Sequence, residues 1–200
     1  MNYLNMVFFA AALSVSAAAS TVETAKSVDA SGFDVAGVKL GMTPTEAVAA
    51  ASSKLQIEKR AIKFDKFPQK NAVTQSKEPE YFIADSGLSK LTVYFSARVP
   101  FDKANPMVVS HIIYELPWTA DNVKSMQAKA IEKYGPTSNG TVVIAYHWCE
   151  RPRKNVGEGC HEFQGAKLSL AGTKLELIDP TFKQAVIDFT NKSQRVTPGF

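Results

Sequence analysis

Two hundred residues with 45% hydrophobic content can bury a real core, enough for one domain or two small units. Charge is nearly balanced, with 23 basic against 19 acidic residues and a formal net of +4. The charges are dispersed, which is the pattern of a solvated surface and not the dense basic stripe with interleaved aromatics that nucleic-acid binding requires.

The first twenty residues carry no charged side chain. Val7 to Val15 form an apolar run too short to span a bilayer comfortably, and Ser16-Ala17-Ala18-Ala19-Ser20 supplies small residues for cleavage. Residues 1–20 therefore read as a secretory signal peptide cut between Ala18 and Ser20. That predicts a periplasmic or secreted protein with no stable membrane anchor after cleavage. Residues 21–32 read as a flexible polar leader and residues 194–200 as a polar tail. The fold is expected over 33–193 as a single domain. A faint duplication, a capped helix followed by strands, would divide it into tandem units at about 33–116 and 117–193.

The clearest local signal is Gly37-Val-Lys-Leu-Gly-Met-Thr-Pro-Thr-Glu-Ala. Gly41 permits a turn, and Thr43 can accept hydrogen bonds from the first helical turn. Pro44 falls at the first helical position, where its missing N–H costs nothing. Glu46 stands three residues after Thr43 and completes a capping box. The helix continues to Leu55 with Ala47, Val48, Ala51 and Leu55 on one side. This stretch resembles the G-M-T-x-x-E helix start of small exported bacterial α+β proteins, the BamE (SmpA) assembly lipoproteins and the β-lactamase-inhibitor-protein (BLIP) fold. It is most similar to exported proteobacterial proteins that begin F-D-V-A-G-V-x-L-G-M-T and carry a later turn like Lys133-Tyr-Gly-Pro-Thr137. BamE-type proteins bear a lipid-modified Cys behind the signal peptide, and this chain has none there. The resemblance implies an antiparallel sheet with helices packed on one face, BamE/BLIP-like.

The residues beyond the first helix predict the same class. Gln56 to Phe64 is compatible with a strand, and Pro68 to Pro79 reads as a surface loop. Tyr81 to Ala84 is a short apolar run, and Leu91 to Ser96 is strand-rich in β-branched and aromatic residues. Met107 to Leu116 is apolar on both alternating faces, which suits a central strand. Thr119 caps a second helix with Val123, Met126, Ala130, Ile131 and Tyr134 at helical spacing, stopped by Gly135-Pro136. Thr141 to Cys149 reads as a strand. Ala166 to Leu170 and Lys174 to Ile178 flank Gly172 as a hairpin, and Asp179-Pro180 opens a last helix. Strands joined by loops and turns favour antiparallel pairing, hence an α+β fold.

Cys149 and Cys160 are the only cysteines. An even pair at this spacing in an oxidising compartment implies a disulfide. His147 and His161 beside them offer the alternative of a metal site, although the spacing is unusual for zinc. Arg151, Arg153 and Lys154 are the densest basic cluster, inside the Cys149–Cys160 loop. They read either as a solvated loop or as a rigid basic finger for an acidic partner. Trp118 and Phe67 are the loop aromatics that could join such a contact surface. His111 reads as a hydrogen-bonded histidine of a sheet. No nucleophile elbow, zinc-protease motif, P-loop or dinucleotide fingerprint occurs, and Glu115, Glu150, Glu162 and Asp179 are scattered. No catalytic residue, cofactor or metal is therefore expected. The reading is a non-catalytic exported protein that binds a protein partner in the cell envelope. The alternatives are an envelope hydrolase with dispersed catalytic residues and a structural envelope protein.

Overall fold

The computed structural model describes residues 25–140, 144–154, 158–162 and 164–193. The predicted signal peptide and its cleavage site, the start of the leader, residues 141–143 of a predicted strand and the tail lie outside the described residues. The chain opens with a two-stranded hairpin, β1 (Asp34–Val35) and β2 (Val38–Lys39). Ala36 and Gly37 turn it with positive φ, and the Gly37 N–H donates to Asp34 Oδ1 at 2.9 Å. Helix α1 (Pro44–Leu55) follows, with the predicted capping box in place. After a 3₁₀ turn at Lys59–Ala61 come β3 (Lys63–Phe64), β4 (Tyr81–Asp85), β5 (Lys90–Ala97) and β6 (Met107–Glu115). Helix α2 (Ala120–Tyr134) leads to β7 (Tyr146–Cys149), β8 (Lys167–Ala171), β9 (Lys174–Ile178) and α3 (Pro180–Ser193).

The fold is α+β. Seven strands form one antiparallel sheet in the order β3-β4-β5-β6-β9-β8-β7, with β6 at its centre. The period of two along each strand sorts side chains between two faces. Phe82, Leu91, Val93, Ile112, Leu177, Leu168 and Trp148 stand in register on the core face, all fully buried. Hairpin β1–β2 and helices α1 and α2 cover it with Val35, Val38, Ala47, Ala51, Met126 and Ala130. Small residues at Ala47 and Ala51 let α1 approach closely. Trp148 is fixed by its indole N–H, which donates to the Gly135 carbonyl at 2.9 Å.

The expectation that all helices pack on one face is corrected. Helix α3 crosses β5 and β6 on the opposite face, where Val186 and Lys183 border a cleft with Tyr94, Ser96, Ser110 and His111. The cause lies at the free edge of β6 beyond β9. There the Gly41 N–H donates to the Val109 carbonyl and the Val109 N–H to the Met42 carbonyl, both at 2.8 Å. Residues 41–42 occupy the path that β9 would take, and the chain then enters α1 on the core face. The chain leaving Ile178 is turned to the other face, with the Asp179 N–H on the Ser110 carbonyl at 3.1 Å. Phe182, Val186 and Phe189 of α3 are half-buried, and no residue of the helix is fully buried.

Two predicted strands are shorter than expected. Between Gln56 and Phe64 only Lys63–Phe64 pairs, because the 3₁₀ turn takes Lys59–Ala61. The strand expected from Thr141 begins, among the described residues, at Tyr146. The Asn139 side chain binds the flanking backbone there, donating to the Ala145 carbonyl and accepting from the His147 N–H, both at 2.9 Å. The Ser138 N–H donates to the His147 carbonyl and the Val28 N–H to the Cys149 carbonyl. These bonds close the outer edge of β7, which would otherwise invite pairing with other chains.

Candidate functional site

One end of the sheet gathers the β4–β5 turn, the loop after β6, the β8–β9 turn and the entry to β7. Three large apolar side chains project from it: Leu88 at 80% exposure, Trp118 at 78% and Ile144 at 99%. Trp118 and Ile144 border a cleft of about 320 Å³ with Val123, Tyr146 and Leu170. The loop carrying Trp118 is held on both sides. The Leu116 N–H donates to the Thr173 carbonyl at 3.1 Å, and Asn122 Nδ2 donates to the Pro117 carbonyl at 2.7 Å. Thr119 Oγ1 then accepts from the Asn122 N–H at 3.1 Å and starts α2. The indole edge lies against Gly172, where an added Cβ would stand 3.8 Å from Nε1. Isolated exposed apolar residues such as Leu88 are ordinary, but Trp118 and Ile144 together at the rim of one cleft mark a contact surface.

Cys149 and Cys160 are joined in a disulfide with Cα atoms 6.2 Å apart. The bond ties down a small hairpin in which the Arg153 N–H donates to the Gly159 carbonyl and the His161 N–H to the Arg151 carbonyl. Arg151, Arg153 and Lys154 are all exposed, and Arg151 donates to Gln164 Oε1 at 3.2 Å. Glu150, Glu158 and Glu162 lie in the same connection between β7 and β8, so its net charge is balanced. Nor does this loop adjoin Trp118. Cys149 pairs with Lys167 at one end of β8 and Trp118 lies by Gly172 past the other, about 13 Å of strand away. The sequence-predicted contact residues thus fall on two separate surfaces. His147 packs under the hairpin against Gly159, and burial, with the nearby Lys167 charge, lowers its pKa. Among the described residues no group of three or more His, Cys, Asp and Glu side chains could hold a metal ion.

A cleft of about 600 Å³ lies beside α3 on the face of the sheet opposite the core. His111 Nε2 meets Glu176 Oε1 at 2.6 Å, and its ring stacks on Tyr94 with centroids 5.0 Å apart. Lys174 Nζ reaches the other Glu176 oxygen at 3.1 Å. The hydrogen bond from His111 and the Lys174 contact outweigh burial and bring the Glu176 carboxyl down to about 2. Ser96 donates to Ser110 Oγ at 2.9 Å, and Ser110 is directed to the Tyr94 carbonyl. His111, Glu176 and Lys174 thus satisfy one another, and neither hydroxyl is held by the imidazole.

Set against protein-family models, curated proteins and solved structures, the chain matches none. The site must therefore be read from its own residues. Sequence reasoning singled out Trp118 but missed Leu88 and Ile144. The signal for both was a large apolar residue set among turn or loop residues, Ser86-Gly-Leu-Ser89 in one case and the start of a run read as strand in the other.

Proposed function

We propose that this chain is an exported, non-catalytic protein that binds a protein partner of the cell envelope through its Leu88–Trp118–Ile144 end. The observation that carries this reading is the exposed Trp118 beside an apolar cleft with Ile144 and Tyr146. Tryptophan is among the residues most enriched in binding hot spots. The loop around it is ordered in advance, so little conformational entropy is lost on association. The paired His111, Glu176 and Lys174 and the mutually bonded serines support binding over hydrolysis. The BamE/BLIP-like likeness of the Gly37–Ala47 stretch and the signal peptide expected at 1–20 belong to the same reading. The test is affinity capture from periplasmic extract with the mature protein. Trp118→Ala and Ile144→Ser should fold normally and lose the captured partner. Capture undiminished in both variants would overturn the assignment.

A further inference from the structure

A second apolar recess lies elsewhere, on the core side, between the C-terminal end of α1 and the face of α2. Its volume is about 260 Å³, and Val35, Leu55, Tyr114, Met126 and Leu175 form its floor. Lys54 stands on one wall and Lys129 and Lys133 on the other, and no carboxylate lines it. The placement follows from helix geometry: Met126, Lys129, Ala130 and Lys133 recur at three and four and share one side of α2. Lys133 is already engaged. Its ammonium donates to the Asp34 carboxylate at 2.7 Å and to the Asp34 carbonyl at 3.0 Å. Burial alone would raise the Asp34 pKa, but these bonds and the Gly37 N–H hold it below the usual carboxylate value. Lys54 and Lys129 are exposed and have no ion-pair partner among the described residues.

An apolar floor with two unengaged cations at its rim is complementary to a molecule with a hydrocarbon tail and one negative head. The volume sits just below the usual range for small-molecule sites, roughly 300–1,000 Å³, so it suits one chain and not two. We propose that the recess binds a free fatty acid, with the alkyl chain over Tyr114, Met126 and Leu175 and the carboxylate between Lys54 and Lys129. The site is independent of the Trp118 surface, which lies past the end of the sheet.

The experiment is calorimetric titration of the full mature protein with decanoate below its micelle concentration. One saturable site per chain is expected. Octanoate, two methylenes shorter, should bind roughly fifteenfold more weakly, since each buried methylene is worth about fourfold. The Lys54→Gln, Lys129→Gln double variant alters only exposed side chains and should bind decanoate at least fivefold more weakly. Decyltrimethylammonium, with the same tail and the opposite head, should not compete. The methyl resonance of Met126 should shift on saturation, which locates the ligand. Absence of saturable binding, equal affinity in the double variant, competition by the cation, or an unmoved Met126 methyl would each overturn the proposal.

Discussion

His111 on β6 and Glu176 on β9 meet through Nε2 and Oε1 at 2.6 Å, two residues 65 positions apart brought together by the central strand pair. The contact carries a pH signature. Glu176 is lowered from 4.5 to about 2, chiefly by the His111 hydrogen bond. A carboxylate depressed in the folded state stabilises above its unfolded value, and that contribution is lost as pH falls through the folded one. The window is therefore pH 4.5 down to about 2. Discounted for partial exposure, the contribution is on the order of 2 kcal/mol. Denaturant unfolding across this range should show a flatter acid limb for Glu176→Gln than for the parent chain. Superimposable acid limbs would contradict the pairing.

The contact of Gly159 with His147 gives a second test. Gly159 and Gly87 both have φ near +80°, so an alanine is strained at either position. At Gly87 an added Cβ meets nothing within 4 Å, whereas at Gly159 it stands 3.0 Å from His147 Cδ2 and Nε2. Gly87→Ala should cost about 1 kcal/mol, the ordinary left-handed penalty. Gly159→Ala should cost clearly more, because the ring is wedged beneath the hairpin and Nδ1 is already buried without a partner among the described residues. Urea midpoints compare the two, and equal losses would mean the imidazole moves aside freely.

What can be read in the sequence is local. Thr43, Pro44 and Glu46 lie within four positions and obey short-range rules, so α1 is legible from its first residue. The alternation along Met107–Glu115 is equally local and marks a central strand. The side on which α3 packs is not legible, because it depends on Gly41 and Met42 taking the edge of Val109 before Asp179 arrives. The His111–Glu176 pair is hidden for the same reason, since no sequence rule joins residues that far apart. Trp118 could be noticed as an aromatic next to a proline. That Leu88 and Ile144 share its end of the sheet follows only from strand order.

The capping box offers the most direct check on the helix start. The Glu46 N–H donates to Thr43 Oγ1 at 3.3 Å and the Thr43 N–H to Glu46 Oε2 at 2.8 Å. Thr43→Ala removes one acceptor from the free amides of the first turn and should cost about 1 kcal/mol. Thr43→Ser keeps the hydroxyl and should lie near the parent. Thermal or urea unfolding that fails to separate Ala from Ser would place the helix start elsewhere.

The last prediction separates the stapled loop from the partner surface. The bond between Cys149 and Cys160 spans a sequence separation of 11, and closing so short a loop contributes about 3 kcal/mol in the chain-entropy model. Replacing both cysteines with Ser should lower stability by up to that amount. Thiol labelling of the unfolded, unreduced parent should find no reactive cysteine; two labelled thiols would remove the bond from the account. Changing Arg151, Arg153 and Lys154 to Ser is a different intervention. All three are exposed and offset by Glu150, Glu158 and Glu162, so folding should be unaffected. They lie beyond the far end of β8 from Trp118, so capture of a partner should persist in the triple variant and fail in Trp118→Ala. The reverse pattern, capture lost with the basic residues and kept without Trp118, would move the contact surface to the disulfide hairpin.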